Sequence, residues 1–258
     1  MKDNRALSFK KLLYVMSGMT SPFFLRQADR WQGARDKMTM TLEQLRAELD
    51  QLDAELLALL ESRMALVAQV AATKPAGSPI FRPGREAQLI QRLISLYEQS
   101  HEGKAVNSDM PYLIRQIWQI LMRVSVHNQK PDFTILSTPE ARHEAEMFAA
   151  GFLDITEQGD AAALIDALSA GAGDLGLITE AELKAVAENL GADSGLYVVS
   201  AFDGCYLIGR FVPDESGQDI SLFARPDDAT VAIQPRKGYF DAAARAREDG
   251  WFIGVIQD

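Results

Sequence analysis

The sequence predicts an N-terminal all-α unit of three helices over residues 41–130 and a C-terminal α/β domain over residues 132–258, with residues 1–40 ahead of both as an extension. Two observations carry this. Leucines from Leu42 onward recur at alternating spacings of three and four, the period of a helix with one apolar face. Beyond Pro131-Asp132 the texture changes to short apolar runs alternating with alanine-rich stretches, the pattern of packed strands and helices. A chain of 258 residues with 47% apolar and 24% charged residues can bury a core, so disorder and fibrous folds are excluded.

In the extension, Leu12-Leu13-Tyr14-Val15-Met16 and Phe23-Phe24-Leu25 are broken by Ser17, Gly18, Thr20 and Pro22. No small-residue cleavage site follows, so the reading is a flexible tail, or residues upstream of a start at Met38 or Met40, rather than an export signal. The first helix carries Leu42, Leu45, Leu49, Leu52, Leu56, Leu59, Leu66 and Val70 on its stripe, and Thr41 with Gln44 forms a capping box. It runs to Lys74 without Gly or Pro, a rod of about 50 Å that needs a partner to cover it. The second begins near Pro83 and carries Leu89, Ile90, Leu93, Ile94 and Tyr97. The third opens at Ser108-Asp109 with Pro111 and carries Leu113, Ile114, Ile117, Trp118, Leu121 and Val124. In the second half, strands over 133–136 and 174–178 and helices over 141–150 and 161–170 are expected.

Charge is divided unevenly. Residues 1–40 hold 8 Lys/Arg against 3 Asp/Glu, residues 41–130 hold 10 against 10, and residues 131–258 hold 8 against 23. An acidic chain without a basic stripe is a poor ligand for nucleic acid, whose phosphates dominate affinity. No run of 18 apolar residues is uninterrupted, so no membrane-spanning helix is expected. A single cysteine, Cys205, forms no internal disulfide and makes no zinc site alone, which fits a reducing cytoplasm. Nothing gives His101, His127 or His143 ligand spacing, and neither metal nor cofactor is expected.

Two cations interrupt the apolar stripe of the first helix, Arg63 and Lys74. They stand eleven residues apart, close to three turns, so they point the same way about 16 Å apart. A buried cation without a partner is costly, so the seam should hold either protein carboxylates, as an internal ion-pair network, or an anionic ligand. Arg85-Glu86 in the first turn of the second helix, and Ser125 with Gln129 one turn apart near the end of the third, supply more hydrogen-bonding groups. Together these describe a pocket for a small dicarboxylate bearing a hydroxyl.

Residues 42–130 resemble the all-helical (type II) chorismate mutases through Leu45-Arg46, residues 52–63 ending in Arg63, Val70 to Lys74, Arg82-Pro83-Gly84-Arg85-Glu86, and Ser125 to Gln129. The resemblance implies an intertwined helical homodimer that rearranges chorismate to prephenate, on the route to phenylalanine and tyrosine, by a pericyclic step needing no nucleophile. It implies that Arg63 clamps one substrate carboxylate and that Arg46 reaches the other from the opposite protomer. Lys74 and Gln129 would hold the ether oxygen, Glu86 would accept the ring hydroxyl, Arg85 would support the pocket, and Ser125 would contact the ring-side carboxylate. Arg82 departs from members with an acidic residue there, and Gly84 is unusual within a helix. The same fold also supports removal of pyruvate from isochorismate.

The acidic half lacks a glycine-rich dinucleotide fingerprint, which argues against a fused dehydrogenase. Its alanine-rich helix followed by Gly171-Ala172-Gly173-Asp174-Leu175-Gly176 faintly resembles a lobe of prephenate dehydratase, although only Gly209-Arg210-Phe211 stands near that enzyme's Thr-Arg-Phe. A degenerate dehydratase relative is the expectation. A product-sensing module, a structural appendage and a bifunctional mutase/dehydratase are the alternatives.

Overall fold

A computed structural model describes residues 40–75, 78–102, 107–227, 230–245, 248 and 250–257; the extension expected over residues 1–40 lies, but for Met40, outside them. Contacts divide the chain into two units, Met1–Ala65 and Leu66–Asp258. A helical region, followed by an α/β domain with a mixed eight-stranded sheet, forms the fold.

Helix α1 spans Leu42–Thr73. It opens on the expected capping box, with Thr41 N donating to Gln44 Oε1 at 2.8 Å and Gln44 N to Thr41 Oγ1 at 3.3 Å. None of its residues is buried, and its leucine stripe from Leu42 to Val70 stays exposed. By length and composition α1 could cross a membrane, which corrects the expectation that no helix could. Residues 56–73 hold only Glu61 and Arg63 as charges, and two interruptions leave the stretch strongly apolar on average.

In the second unit, α2 (Pro83–Ser100) and α3 (Met110–Gln129) pack together. Proline in the first turn of each fits a position whose N–H has no helical partner. The sheet is built from β1 (Thr134–Ser137), β2 (Asp154–Glu157), β3 (Leu175–Thr179), β4 (Tyr197–Phe202), β5 (Cys205–Gly209), β6 (Asp219–Asp227), β7 (Thr230–Lys237) and β8 (Trp251–Gln257). Its order is β2-β1-β3-β5-β4-β8-β6-β7, with β2, β1 and β3 mutually parallel and β3, β5 and β4 antiparallel. Helices α4 (Arg142–Ala149), α5 (Ala161–Ser169) and α6 (Glu180–Val186) connect the early strands.

Side chains alternate across the strands, so each strand feeds two cores. Leu136, Ile178, Val198 and Ile208 point to the face covered by Leu164 and Leu168 of α5 and Leu183 of α6. Their neighbours Ile135, Leu177, Val199 and Leu207 point to the other face, where they meet Phe148 of α4 together with Phe81 and Val126 of the helical region. The α2–α3 pair therefore shares a core with the sheet. Lys130, just past α3, fastens this join: its Nζ lies 2.6 and 2.7 Å from the Asp174 carboxylate, which also accepts from Thr134 N at 3.0 Å.

Candidate active site

Lys74 follows α1 by one residue, and Gln129 is the last residue of α3. The Lys74 Nζ donates to Gln129 Oε1 at 3.2 Å and to the Pro79 carbonyl at 3.3 Å. The Gln129 amide donates in turn to the Ser125 carbonyl at 2.9 Å, and buried Ser125 turns its hydroxyl to the Leu121 carbonyl at 2.6 Å. An ammonium has three N–H donors and a primary amide two. One N–H on Lys74 and one on Gln129 therefore remain uncommitted among the described residues, on groups already in contact. Burial and the nearby Arg82 guanidinium both hold Lys74 below the ordinary lysine range.

Glu86 lies elsewhere, and no hydrogen bond joins it to that group among the described residues. It sits one turn into α2 and takes the fork of Arg123, with Nη2 to Oε1 at 3.0 Å and Nη1 to Oε2 at 3.2 Å. The side chains retain only 11% and 5% exposure. The guanidinium is stacked as well, 3.9 Å from the ring centre of Phe148 and 5.2 Å from that of Phe81. Burial pushes the Glu86 carboxyl above its ordinary range, and Arg123 opposes that rise. The pair lines a small cavity with Arg115, Gln119, Ser200 and Phe202.

Arg85 is exposed and has no hydrogen bond or ion pair among the described residues. Arg46 and Arg63 both stand on α1, Arg46 exposed and Arg63 half-buried. The structure thus groups Lys74, Ser125 and Gln129, and places Glu86 with a partner that sequence reasoning missed. The signal was present: Arg123 is the single charge between Gln116 and Val126, a lone cation in an otherwise uncharged stretch.

The two departures at the start of α2 also find their reason. Arg82 Nε is 2.9 Å from Asp214 Oδ2, and Gln88 Nε2 donates to the Glu215 carbonyl at 2.7 Å. Gly84 lies directly against this loop, where a Cβ would stand 2.9 Å from the Asp214 carbonyl carbon and closer still to its oxygen. Arginine and glycine here serve the docking of the α/β domain onto α2.

In the α/β domain, Arg210 donates to the Leu168 and Gly173 carbonyls, both at 3.2 Å, and so ties the end of α5 to the turn before β3. The Gly-Arg-Phe segment is structural in this respect. Cys205 is buried, and burial with the charges of Glu144, Glu182 and Asp203 pushes its thiol up to about 11.

No curated protein matches the chain. Among solved structures it is similar to a chain described as "GqqA- a novel type of quorum quenching acylases", at 13% identity over 48% of this chain and 95% of that one, with a TM-score of 0.37. The faint dehydratase resemblance of the second half finds no support in the comparisons. The family model of chorismate mutase type II matches residues 45–130, about a third of the chain, a stretch that holds all but the first turn of α1, the whole of α2 and α3, and every candidate site residue.

Proposed function

We propose that this chain rearranges chorismate to prephenate. The observation that carries the reading is the Lys74–Gln129 contact, with one spare N–H on each group available to a single substrate oxygen. In a Claisen rearrangement the bond from the ether oxygen to carbon breaks as a new carbon–carbon bond forms, and negative charge grows on that oxygen. Two fixed donors, one of them cationic, stabilise the charge as it develops. No proton moves and no covalent intermediate forms, so the site needs no nucleophile, metal or cofactor.

The remaining work is conformational, because the flexible substrate must be held with its reacting ends together. Arg63 is suited to a bidentate grip on one carboxylate, and Arg46 of a second protomer to the other. Arg85 adds positive charge near the entrance to α2, and Ser125 lies beside Gln129 to meet the ring-side carboxylate. Glu86 keeps lone pairs free after binding Arg123, since an ionised carboxylate offers about four acceptor sites, and it accepts the ring hydroxyl.

The uncovered leucines of α1 support the proposed dimer. A stripe of exposed leucines on a 32-residue helix favours a protein partner over a bilayer, because Glu43, Arg46, Glu48, Asp50, Asp53 and Glu55 charge its first half. We place the reaction in the aromatic amino-acid route and in a reducing cytoplasm. The test is chorismate consumption by the full chain with product identification. Prephenate supports the reading; salicylate and pyruvate from isochorismate, with chorismate untouched, would make the chain a lyase.

A further inference from the structure

We propose that Arg123 is a positioning residue for the mutase reaction, fixing the Glu86 carboxylate in place, and that the α/β domain takes part in the site by holding Arg123 through Phe148. The inference rests on the reading above, in which Glu86 meets the substrate hydroxyl.

The geometry supports a fixed carboxylate. A lone carboxylate on a helix rotates about its terminal torsion, and an acceptor that turns away loses its hydrogen bond. The Arg123 fork engages both Glu86 oxygens at 3.0 and 3.2 Å and so sets the plane of the group. Arginine alone has the planar shape for this; lysine would supply a point charge. The guanidinium is itself confined from the other side. Phe148, on α4 of the α/β domain, lies 3.9 Å from its carbon, and Phe81, just ahead of α2, lies 5.2 Å away. Phe81 and Phe148 meet edge to face with ring centres 5.8 Å apart, and Phe148 meets Phe202 of β4 at 5.4 Å, so the stack is anchored in the sheet.

The same contacts govern ionisation. Among the described residues the charged groups lining the cavity are Glu86, Arg115 and Arg123; α4, β4 and β8 add Phe148, Ser200, Phe202 and Gln257 but no titratable group. Burial favours the protonated acid, and Arg123 in direct contact favours the carboxylate. A hydroxyl acceptor must stay ionised in the working range. Without Arg123, the upward push of burial loses the group that opposes it.

The experiment measures kcat/KM for chorismate against pH in the full chain and in Glu86→Gln, Arg123→Gln, Arg123→Lys and Phe148→Leu, with circular dichroism to confirm folding. The wild type should lose activity along an acid limb that Glu86→Gln abolishes. In Arg123→Gln that limb should move upward by about 1–3 pH units, the span of a direct arginine contact. Arg123→Lys should fall between the two, and Phe148→Leu should move the limb in the same direction by less. If Arg123→Gln does not fold, the lysine and leucine variants carry the test. A uniform loss at all pH values, with the limb in its wild-type position, would mean that Arg123 only supports the fold and would overturn the proposal. An inactive wild type would overturn the mutase reading itself, and the positioning role with it.

Discussion

Lys74 and Gln129 are fifty-five residues apart in sequence, and their 3.2 Å contact is the smallest feature on which the proposed reaction rests. Removing one donor to a developing oxyanion costs roughly 2.7–4 kcal/mol of transition-state stabilisation, a factor of about 10²–10³ in kcat. Lys74→Ala and Gln129→Ala should each show that loss in steady-state assays, with the fold intact by circular dichroism. A Lys74→Ala chain with undiminished turnover would remove Lys74 from the chemistry. The ammonium must also be protonated. Burial and Arg82 lower its pKa, so activity should decline on the alkaline side earlier than an ordinary lysine allows. Arg82→Gln removes a repelling charge, which makes the protonated form easier to keep. The alkaline limb should then move to higher pH, the opposite of what loss of a catalytic cation would give. Lys74 was legible as a cation continuing an apolar stripe. Glu86 was legible as a polar residue and Arg123 stands out as a lone cation, but their pairing was not legible, since α2 and α3 carry several charges and only packing selects the partner.

At the level of the element, α2 shows a sequence oddity turned into a contact. Glycine inside a helix is weaker than alanine by about 0.5–1 kcal/mol, so Gly84→Ala on a free helix would stabilise. Here Gly84 is buried against the Asp214 backbone, which cannot move aside like a flexible side chain. Overpacking of this kind costs about 1–3 kcal/mol. The thermal midpoint of Gly84→Ala should therefore fall, by roughly 2–4 °C per kcal/mol in a chain of this size; a rise would mean the loop is not seated there. Helices α1 to α3 were readable because their period is local, and the ends matched within one or two residues. The strands from β4 onward were not. β8, last in sequence, is inserted between β4 and β6, and its pairing with β6 brings Trp251 beside Ala224 and Gln257 beside Asp219. No periodicity within a strand encodes such a partner.

For the whole molecule, what matters is the exposed stripe of α1, where Leu49 is 59% and Leu66 61% exposed. A helix of 32 residues without a buried residue gains most of its stability from a covering surface. In the proposed dimer a second copy would supply a surface of the same length and spacing, and two-fold symmetry would make each stripe cover the other. Sedimentation should then give a dimer, and Leu52→Glu with Leu59→Glu should give a monomer that has lost mutase activity. A sharper test concerns Arg46. If it acts across the dimer, Arg46→Ala and Lys74→Ala destroy different halves of one composite site. Each homodimer is then inactive. A hybrid dimer has one site with both defects and one with neither, because the Lys74→Ala protomer lends its intact Arg46 to the site of its partner. Unfolding an equimolar mixture and refolding it should restore about one quarter of the sites, since half the dimers are hybrids and each carries one good site of two. If Arg46 acts within its own chain, each protomer remains defective whatever its partner, and the refolded mixture stays as inactive as its parents.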